Sequence, residues 1–307
     1  MGGAEVIALF GPTGVGKTDV AIALAARLRE LGERPVAISA DALQVYDGLQ
    51  TLTGAATASQ RAQLEHRLIG VVPVHETFSA GRFAQLAHTE IDQALRDRMR
   101  PIVVGGTGLY LRAALTTLSL QPPPDLHVRE RWRQRMHELG PETLHARLAS
   151  EAPWAAEAIA PTDRQRIVRA LELQEVGQLR PRSSDNELWT TATRHPTLLA
   201  GLVMDRATLY ERIDARVDAI VAAGAGDEVR AVAADASATA RRALGFEQLL
   251  AGDLELMKRR TRQYARRQLT WMRKLPEIDV IDVTDRDPDD VAAELLALWV
   301  GSGEPSG

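Results

Sequence analysis

The chain has 307 residues, 45% of them hydrophobic, which suffices for one large globular domain and a smaller one. It contains no cysteine, which excludes disulfides and thiolate-ligated zinc, and its seven histidines form no closely spaced ligand pair. The net charge of -4 argues against a uniformly basic nucleic-acid-binding protein.

The first informative stretch is glycine-rich and lies between a predicted strand, residues 6–10, and a predicted helix, residues 19–31. This order is typical of a phosphate-binding loop, in which backbone amides and the helix N-terminus surround phosphate oxygens. Lys17 would add a positive charge, and Thr18 a hydroxyl ligand for Mg²⁺. A glycine-rich turn with an incidental lysine is the alternative. The residues of the loop are Gly11, Pro12, Thr13, Gly14, Val15, Gly16, Lys17 and Thr18.

Two further predicted strands, residues 36–40 and 101–104, end in candidate functional residues. Asp41 follows the first, and glycines and Thr107 follow the second. Ligands bind at the carboxyl edge of an open parallel sheet, so both residues are expected to face the phosphate loop. Asp41 is predicted to be a general base or a metal partner, with capping of the next turn as the alternative. For Thr107, functional and structural roles are equally consistent with the sequence.

The segments around these strands are less informative. Residues 51–60 lack periodicity, so a loop is predicted, and a helix is predicted over residues 81–98. His66 is expected to be structural. The strand at residues 101–104 ends in glycine, whereas a motor-type NTPase usually has an acidic residue there to hold Mg²⁺ and position water.

From Thr116 onward the composition changes. Prolines 122–124 indicate a boundary, charged helical segments are predicted at 128–139, 142–149 and 163–176, and a polar run follows at 182–186. We therefore predict a helical insertion at 119–195, a core formed by 1–118 and 196–300, and a disordered tail at 301–307. The arginines of the insertion, Arg166 among them, are equally consistent with a solvated surface and with a surface that binds RNA.

A strand at residues 197–204 and a helix at 207–222 follow the insertion. Arg212 and Arg216 lie four residues apart, on one face of this helix, and suit a diphosphate ligand. Pairing with Glu211, Asp214 or Asp218 is the alternative.

The last informative stretch, residues 258–274, is basic and contains no acidic residue. Helical spacing places Arg260, Tyr264, Arg267, Trp271 and Lys274 on one stripe and an apolar set on another. Mixed cationic and aromatic surfaces suit RNA bases and phosphates, so this helix is predicted to contact nucleic acid.

Seven blocks of the sequence, in order, resemble the bacterial tRNA dimethylallyltransferase family: residues 11–18, 41–46, 66–69, 104–110, 163–172, 226–230 and 261–271. The resemblance implies an α/β fold, a P-loop-type parallel sheet flanked by helices, with an inserted all-helical subdomain. It implies transfer of a dimethylallyl group from dimethylallyl diphosphate to N6 of the adenine 3′ of the anticodon. The phosphate loop would then bind the diphosphate of the donor together with Mg²⁺.

The same resemblance implies roles for individual residues. Asp41 matches the catalytic base, Thr107 a residue of the reaction channel, and Arg216 a group that stabilises the leaving diphosphate, with Arg212 beside it. Ala42 departs from the family's usual serine, and residues 53–57 depart from its glycine-threonine-alanine-lysine-proline run. The residues expected to contact the tRNA anticodon stem-loop are Gln44, Arg166, Arg260, Arg262, Gln263, Tyr264, Arg266, Arg267 and Trp271.

No apolar stretch is long enough to span a membrane, and the N-terminus lacks a signal-peptide pattern. We expect a cytoplasmic monomer with no membrane association. Three alternatives stay open: a small-molecule kinase with a phosphate loop, a prenyltransferase acting on free adenine nucleotides, and an RNA-binding protein without activity. The transferase interpretation predicts that ATP is dispensable.

Overall fold

The structure, a computed structural model, describes residues 3–118, 126–181 and 190–302. Contacts divide the chain into two compact units, one of Met1–Leu118 with Leu188–Gly307 and one of Ser119–Glu187. The second boundary between the units thus lies before residue 195, the predicted end of the insertion. Arg194 and His195 belong to the larger unit, and each forms a hydrogen bond of 2.8 Å with Asp92. The prolines 122–124, the polar run 182–186 and residues 303–307 of the predicted tail lie outside the described residues.

The larger unit contains a six-stranded sheet in which every pair of neighbouring strands is parallel. Its order is β3-β2-β4-β1-β5-β6. The apolar runs that predicted strands are buried over their whole length in β1 and β2, as expected of strands covered on both faces. The α/β class with a parallel sheet is confirmed. The strands are β1 Val6–Phe10, β2 Pro35–Ala40, β3 His66–Arg67, β4 Arg100–Gly105, β5 Thr197–Val203 and β6 Asp279–Asp282.

Helices connect the strands and supply the second unit. The core of the larger unit joins β1, β4 and β5 to the inner faces of the first and last helices. In chain order the helices are α1 Lys17–Glu30, α2 Gln50–Thr53, α3 Ala58–Gln63, α4 Ala80–Arg96, α5 Gly108–Leu115, α6 Leu126–Glu151, α7 Pro153–Glu157, α8 Arg164–Glu175, α9 Arg206–Ala222, α10 Ala225–Val232, α11 Phe246–Ala251, α12 Leu254–Met272 and α13 Pro288–Gly301. Among the described ranges, none of these helices combines the length and apolar character that crossing a bilayer requires.

The second unit is helical and has its own apolar core, which includes Trp132, Leu148 and Ile167. Its first helix, α6, breaks at Gly140, where φ is 78°, just before Pro141. Many of its arginines are paired inside the unit. Arg129 and Arg169 donate to the buried carboxylate of Glu172, and Arg135 and Arg147 lie over the Trp132 ring at 4.8 and 4.9 Å. These side chains stabilise the unit itself.

The loop predicted over residues 51–60 is found only at 54–57, and the prediction was wrong for 51–53 and 58–60, which lie in α2 and α3. The four-residue helix α2 is stabilised from outside, because the amides of Thr51 and Leu52 donate to the Glu228 carboxylate at 2.9 and 2.7 Å. Helix α3 begins with a capping box formed by Thr57 and Gln60. The spacing of that capping box is visible in the sequence and could have predicted α3.

Candidate active site

Three loops meet at the carboxyl edge of the sheet: the phosphate loop after β1, Asp41 after β2 and Thr107 after β4. Phe10 at the end of β1 and Ala40 at the end of β2 both align with Gly105 of β4, so the phosphate loop and Asp41 begin at the same level of the sheet. Burial has the largest effect on the pKa values of Lys17, Arg216 and Tyr264, and the negative charge of Asp41 acts on all three, favouring a higher pKa in each. Because such interactions require short distances, these side chains from four segments of the chain face one region. The edge rule for parallel sheets correctly predicted that Asp41 and the phosphate loop lie together.

The phosphate loop has the conformation that its glycines permit. Gly14 and Gly16 have φ values of 85° and 98°, in the left-handed region that side chains disfavour. A methyl group on Gly14 would lie 3.0 Å from the Ile213 side chain, so this glycine also lets α9 approach. In the described part of the chain, no protein acceptor is bonded to the amides of Gly14, Gly16, Lys17 and Thr18. These four N–H groups can therefore bind an anion.

The Lys17 amine lies beneath the loop and donates to the carbonyls of Gly11 and Pro12, at 2.8 and 2.9 Å. Its pKa is lowered from 10.5 to about 7, mainly by burial and then by the positive charge of Arg216, and the charge of Asp41 opposes both effects. An anion that binds next to the Lys17 amine would favour its charged form, so binding would be accompanied by protonation of the amine. Its partners in this structure are neutral carbonyls, which serve a neutral amine as well as an ammonium group.

Arg216 belongs to α9, and its guanidinium lies against Gly54, the residue that ends α2. Its Nη2 donates to the Gly54 carbonyl at 3.0 Å, and a methyl group on Gly54 would lie 1.8 Å from the same nitrogen. Burial lowers its pKa, and Asp41 and Asp19 oppose that effect. Glu228 holds the other end of α2, so this short helix fixes where the guanidinium lies.

The alternative that Arg212 and Arg216 pair with acidic residues of α9 is not seen. Asp214 accepts two hydrogen bonds of 2.6 Å from Arg262, and Asp218 pairs with Lys258 at 2.7 Å. Among the described residues, neither Arg212 nor Arg216 forms an ion pair. The nearest guanidinium nitrogen of Arg212 would lie 3.4 Å from a methyl group on Gly16, so the exposed arginine borders the phosphate loop.

Asp41 also caps the turn that follows it, because its Oδ1 accepts from the amide of Leu43 at 2.9 Å. Capping and a chemical role are compatible, since the carboxylate has a second oxygen. Gln44 is oriented by Ser39, whose hydroxyl donates to Gln44 Oε1 at 2.8 Å. Within the described residues, the NH₂ group of Gln44 has no partner and can donate to a ligand.

One face of α12 closes the site on the side of Thr107. Tyr264 Oη and Thr107 Oγ1 share a hydrogen bond of 2.7 Å, and burial, followed by Asp41, raises the pKa of Tyr264. A methyl group on Gly108 would lie 2.2 Å from Trp271, so this tryptophan packs on the start of α5. The side-chain amide of Gln268 lies between these two and bonds to the phosphate loop and to the turn before Thr107.

The residues of α12 that were predicted to contact tRNA have different surroundings in the structure. Tyr264 and Trp271 pack against the site, and Arg262 is paired with Asp214. Their contact with tRNA stays a prediction. Arg267 lies over the Tyr264 ring at 5.7 Å. Among the α12 residues predicted to contact tRNA, the exposed ones are Arg260, Gln263, Arg266 and Arg267. In the second unit, Arg166 is 58% exposed and lies 3.4 Å from Asp163.

Three residues of the site were not assigned from the sequence. Glu228 fixes α2, Gln268 joins α12 to the loops, and Tyr110 lies on α5, three residues after Thr107. Burial, followed by the charges of Tyr46 and Asp41, raises the Tyr110 pKa to about 12. Glu228 and Gln268 lie inside blocks that the family resemblance identified, but no spacing rule gives their partners.

The donor set near the loop suits Mg²⁺ and not a cation that needs many protein ligands. No group of three or more Asp, Glu or His side chains able to hold a metal occurs in residues 3–118, 126–181 and 190–302. The Thr18 hydroxyl has no partner among these residues. Mg²⁺ typically takes one or two protein ligands and completes its shell with phosphate oxygens and water, so one hydroxyl fits.

Comparison with known proteins gives consistent matches over most of the chain. A family model described as IPP transferase matches residues 44–275. A protein named tRNA dimethylallyltransferase from Kineococcus radiotolerans is 40% identical, covering 95% of this chain and 96% of that one. The crystal structure of the full-length tRNA isopentenylpyrophosphate transferase from Bacillus halodurans matches with a TM-score of 0.68 and 32% identity, covering 97% and 96% of the two chains. A eukaryotic dimethylallyltransferase described as acting on tRNA shares the fold, with a TM-score of 0.76 and 24% identity over 96% of this chain and 78% of its own.

Proposed function

The chain belongs to the IPP transferase family, and on that premise we propose that it transfers the dimethylallyl group of dimethylallyl diphosphate to N6 of the adenine 3′ of the anticodon in tRNA. The observation that carries the proposal is the convergence of Lys17, Arg216 and Asp41 at one edge of the sheet. The two cationic side chains can bind a diphosphate, and the carboxylate beside them can accept a proton from an amine.

In the reaction, N6 attacks the allylic carbon, and the bond between that carbon and the diphosphate oxygen breaks. The pair of electrons of the broken bond leaves with the diphosphate, and the N6 proton passes to Asp41. Positioned proton transfer of this kind is typically worth about 10²–10⁴ in rate. Thr107 and Tyr264, joined by their hydroxyls, would line the channel in which N6 approaches.

Negative charge grows on the diphosphate as it leaves, and the groups at the edge of the sheet oppose that charge. The four unbonded amides of the phosphate loop would donate to its oxygens, with Lys17, Arg216 and Arg212 around them. Preorganised donors aimed at developing charge are usually the largest contribution to catalysis. Thr18 would hold Mg²⁺, which neutralises diphosphate charge when bound.

The tRNA anticodon stem-loop is the proposed second substrate. Its adenine has to leave the base stack to present N6, which costs a few kcal/mol. We assign the compensating contacts to the exposed side chains of α12, to Gln44 and, in the helical insertion, to Arg166. We further propose that the protein acts in the cytoplasm as a monomer.

A single assay tests the function. Purified protein is incubated with Mg²⁺, labelled dimethylallyl diphosphate and unmodified tRNA, without ATP, and the tRNA is digested and analysed by mass. We expect one added C5H8 unit on the adenine next to the anticodon. Absence of label in every tRNA tested would refute the proposal.

Parallel reactions distinguish the alternatives. A small-molecule kinase would consume ATP in the presence of a metabolite and leave the donor intact. A prenyltransferase for free nucleotides would label AMP in place of tRNA. An RNA-binding protein without activity would bind tRNA and release no diphosphate.

A further inference from the structure

The side chain of Gln268 connects helix α12 to the phosphate loop and to the turn before Thr107, three parts whose relative positions matter for the proposed reaction. It lies on α12 and is 4% exposed. Its Oε1 accepts from the amide of Thr13 in the phosphate loop at 2.9 Å, and its Nε2 donates to the carbonyl of Gly106 at 2.7 Å. Gly106 directly precedes Thr107, so one amide group touches the donor loop and the proposed channel.

The fit around this amide is close. A methyl group on Gly106 would lie 2.3 Å from Gln268 Nε2 and 3.0 Å from the Gly11 carbonyl. The glycine therefore lets the amide and the phosphate loop approach the turn together. Both hydrogen bonds require one acceptor and one donor at the end of a side chain of this length. A neutral amide provides that combination, and at the same side-chain length so does a protonated carboxyl.

Neighbouring residues on the same face of α12 extend the connection. Tyr264, one turn before Gln268, bonds to Thr107, and Trp271, three residues after it, packs on Gly108. Contacts from α12 thus reach Gly106, Thr107 and Gly108 in succession. Arg260, Gln263, Arg266 and Arg267, the exposed side chains proposed to meet tRNA, lie on the same helix.

We propose that Gln268 is a positioning residue for prenyl transfer, which holds the phosphate loop and the Gly106–Thr107 turn at a fixed distance from α12. This inference rests on the proposed function. Gln268 does not touch either substrate. It acts through the Thr13 amide and the Gly106 carbonyl, and it ties the geometry of the donor site to the helix that is proposed to carry tRNA contacts. A misplacement of reacting groups by about 1 Å can cost 10²-fold in rate.

Two variants at Gln268 and one control test this role. Gln268→Met keeps the length and volume of the side chain but removes both hydrogen bonds. Gln268→Glu keeps the acceptor for Thr13, and it regains the donor to Gly106 when the carboxyl is protonated. Gln248→Met is the control, because Gln248 is similarly buried at 6% exposure but has no hydrogen bond to the phosphate loop.

Each variant is checked for folding by its melting temperature. Inorganic diphosphate binding with Mg²⁺ is then measured by calorimetry, tRNA binding by filter retention, and kcat and KM in the prenylation assay. For Gln268→Met we expect a 10- to 100-fold fall in kcat/KM for the donor and weaker diphosphate binding, with tRNA affinity within twofold. Gln248→Met should stay within twofold in every measurement.

A pH profile separates positioning from packing and serves if Gln268→Met does not fold. Activity of Gln268→Glu relative to wild type should rise as the pH falls from 8 to 6, since protonation restores both bonds. A packing role predicts instead that methionine is tolerated better than glutamate at every pH. A folded Gln268→Met with wild-type diphosphate affinity and kcat, or a flat ratio for Gln268→Glu, would overturn the inference. If the wild-type protein binds diphosphate but labels no tRNA, the proposed function is refuted. The role of Gln268 is then tested by comparing the diphosphate affinities of the wild type and Gln268→Met.

Discussion

The protonation of Lys17 gives a prediction with a magnitude that the structure supplies. Burial lowers its pKa to about 7, so about one-tenth of the unliganded protein carries the ammonium form at pH 8 and about nine-tenths at pH 6. A diphosphate placed against the amine favours the charged form and raises this pKa again. Donor binding should therefore take up about 0.9 proton at pH 8 and about 0.1 at pH 6.

The assay is calorimetry of donor binding in buffers of different ionisation enthalpy, at both pH values, with Mg²⁺ held constant. Lys17→Arg is the control, because a guanidinium stays charged and takes up no proton. The difference between wild type and Lys17→Arg isolates the lysine from any titration of the diphosphate itself. An uptake near zero at pH 8, or the same uptake in both proteins, would show that Lys17 is already charged and refute the reasoning.

The same shift has a consequence for stability without ligand. The folded pKa of Lys17 lies below the unfolded value of 10.5, so the unfolded chain binds the extra proton between pH 7 and 10.5. On this account alone, the free energy of unfolding rises with pH across that window. Lys17→Met should remove this contribution, which urea titrations at several pH values would measure.

Further expectations concern the base, the arginine, the tRNA surface and the metal. Asp41→Asn should lower single-turnover prenylation by about 10²–10⁴ with near-normal tRNA affinity; unchanged turnover would remove Asp41 from the base role. Gly54→Ala forces a methyl group to 1.8 Å from Arg216 Nη2 and should raise the donor KM roughly tenfold, through misplacement of that group. The matched change Gly252→Ala, also at a positive φ (70° against 56°) but with nothing within 4 Å of the added methyl group, should not, and equal KM values for the two would contradict this account. Joint replacement of Arg266 and Arg267 by alanine should raise the tRNA KM and reduce the salt slope by about 2, while unaltered tRNA binding would exclude them from the interface. EDTA should abolish transfer and Mg²⁺ restore it, with ATP irrelevant throughout; activity in EDTA would argue against the metal.

The parts of the molecule that were predictable from sequence depend on short-range patterns. Continuous apolar runs identified β1, β2, β4 and β5, and glycine spacing identified the phosphate loop. The parallel-sheet rule then placed Asp41 at the right edge. Each of these inferences uses residues within one strand and its adjoining turn, where periodicity and backbone conformation leave a direct trace in the sequence.

The parts that were not predictable depend on partners far away in the chain. Gln268 and Thr13 are separated by 255 residues, and Glu228 and Thr51 by 177. Arg262 appeared available for RNA because its own helix lacks acidic residues after Glu255, but Asp214 on α9 reaches it. Helix α2 has only four residues, too few for a propensity signal, and exists because Glu228 satisfies its amides.

The pairing of β1 with both β4 and β5 has a consequence for synthesis of the protein. Phe10 aligns with Gly105 of β4, and Val6 with Thr197 of β5. The ribosome therefore adds about 90 residues between the synthesis of the first partner strand of β1 and that of the second. At ~5–20 residues per second this interval lasts roughly 5–20 s, during which one edge of the nascent strand lacks its native partner. The helical insertion emerges in that interval with its own apolar core. Because the insertion lies between β4 and β5, the ribosome-bound chain can form this local unit before the long-range sheet is completed by β5 and β6.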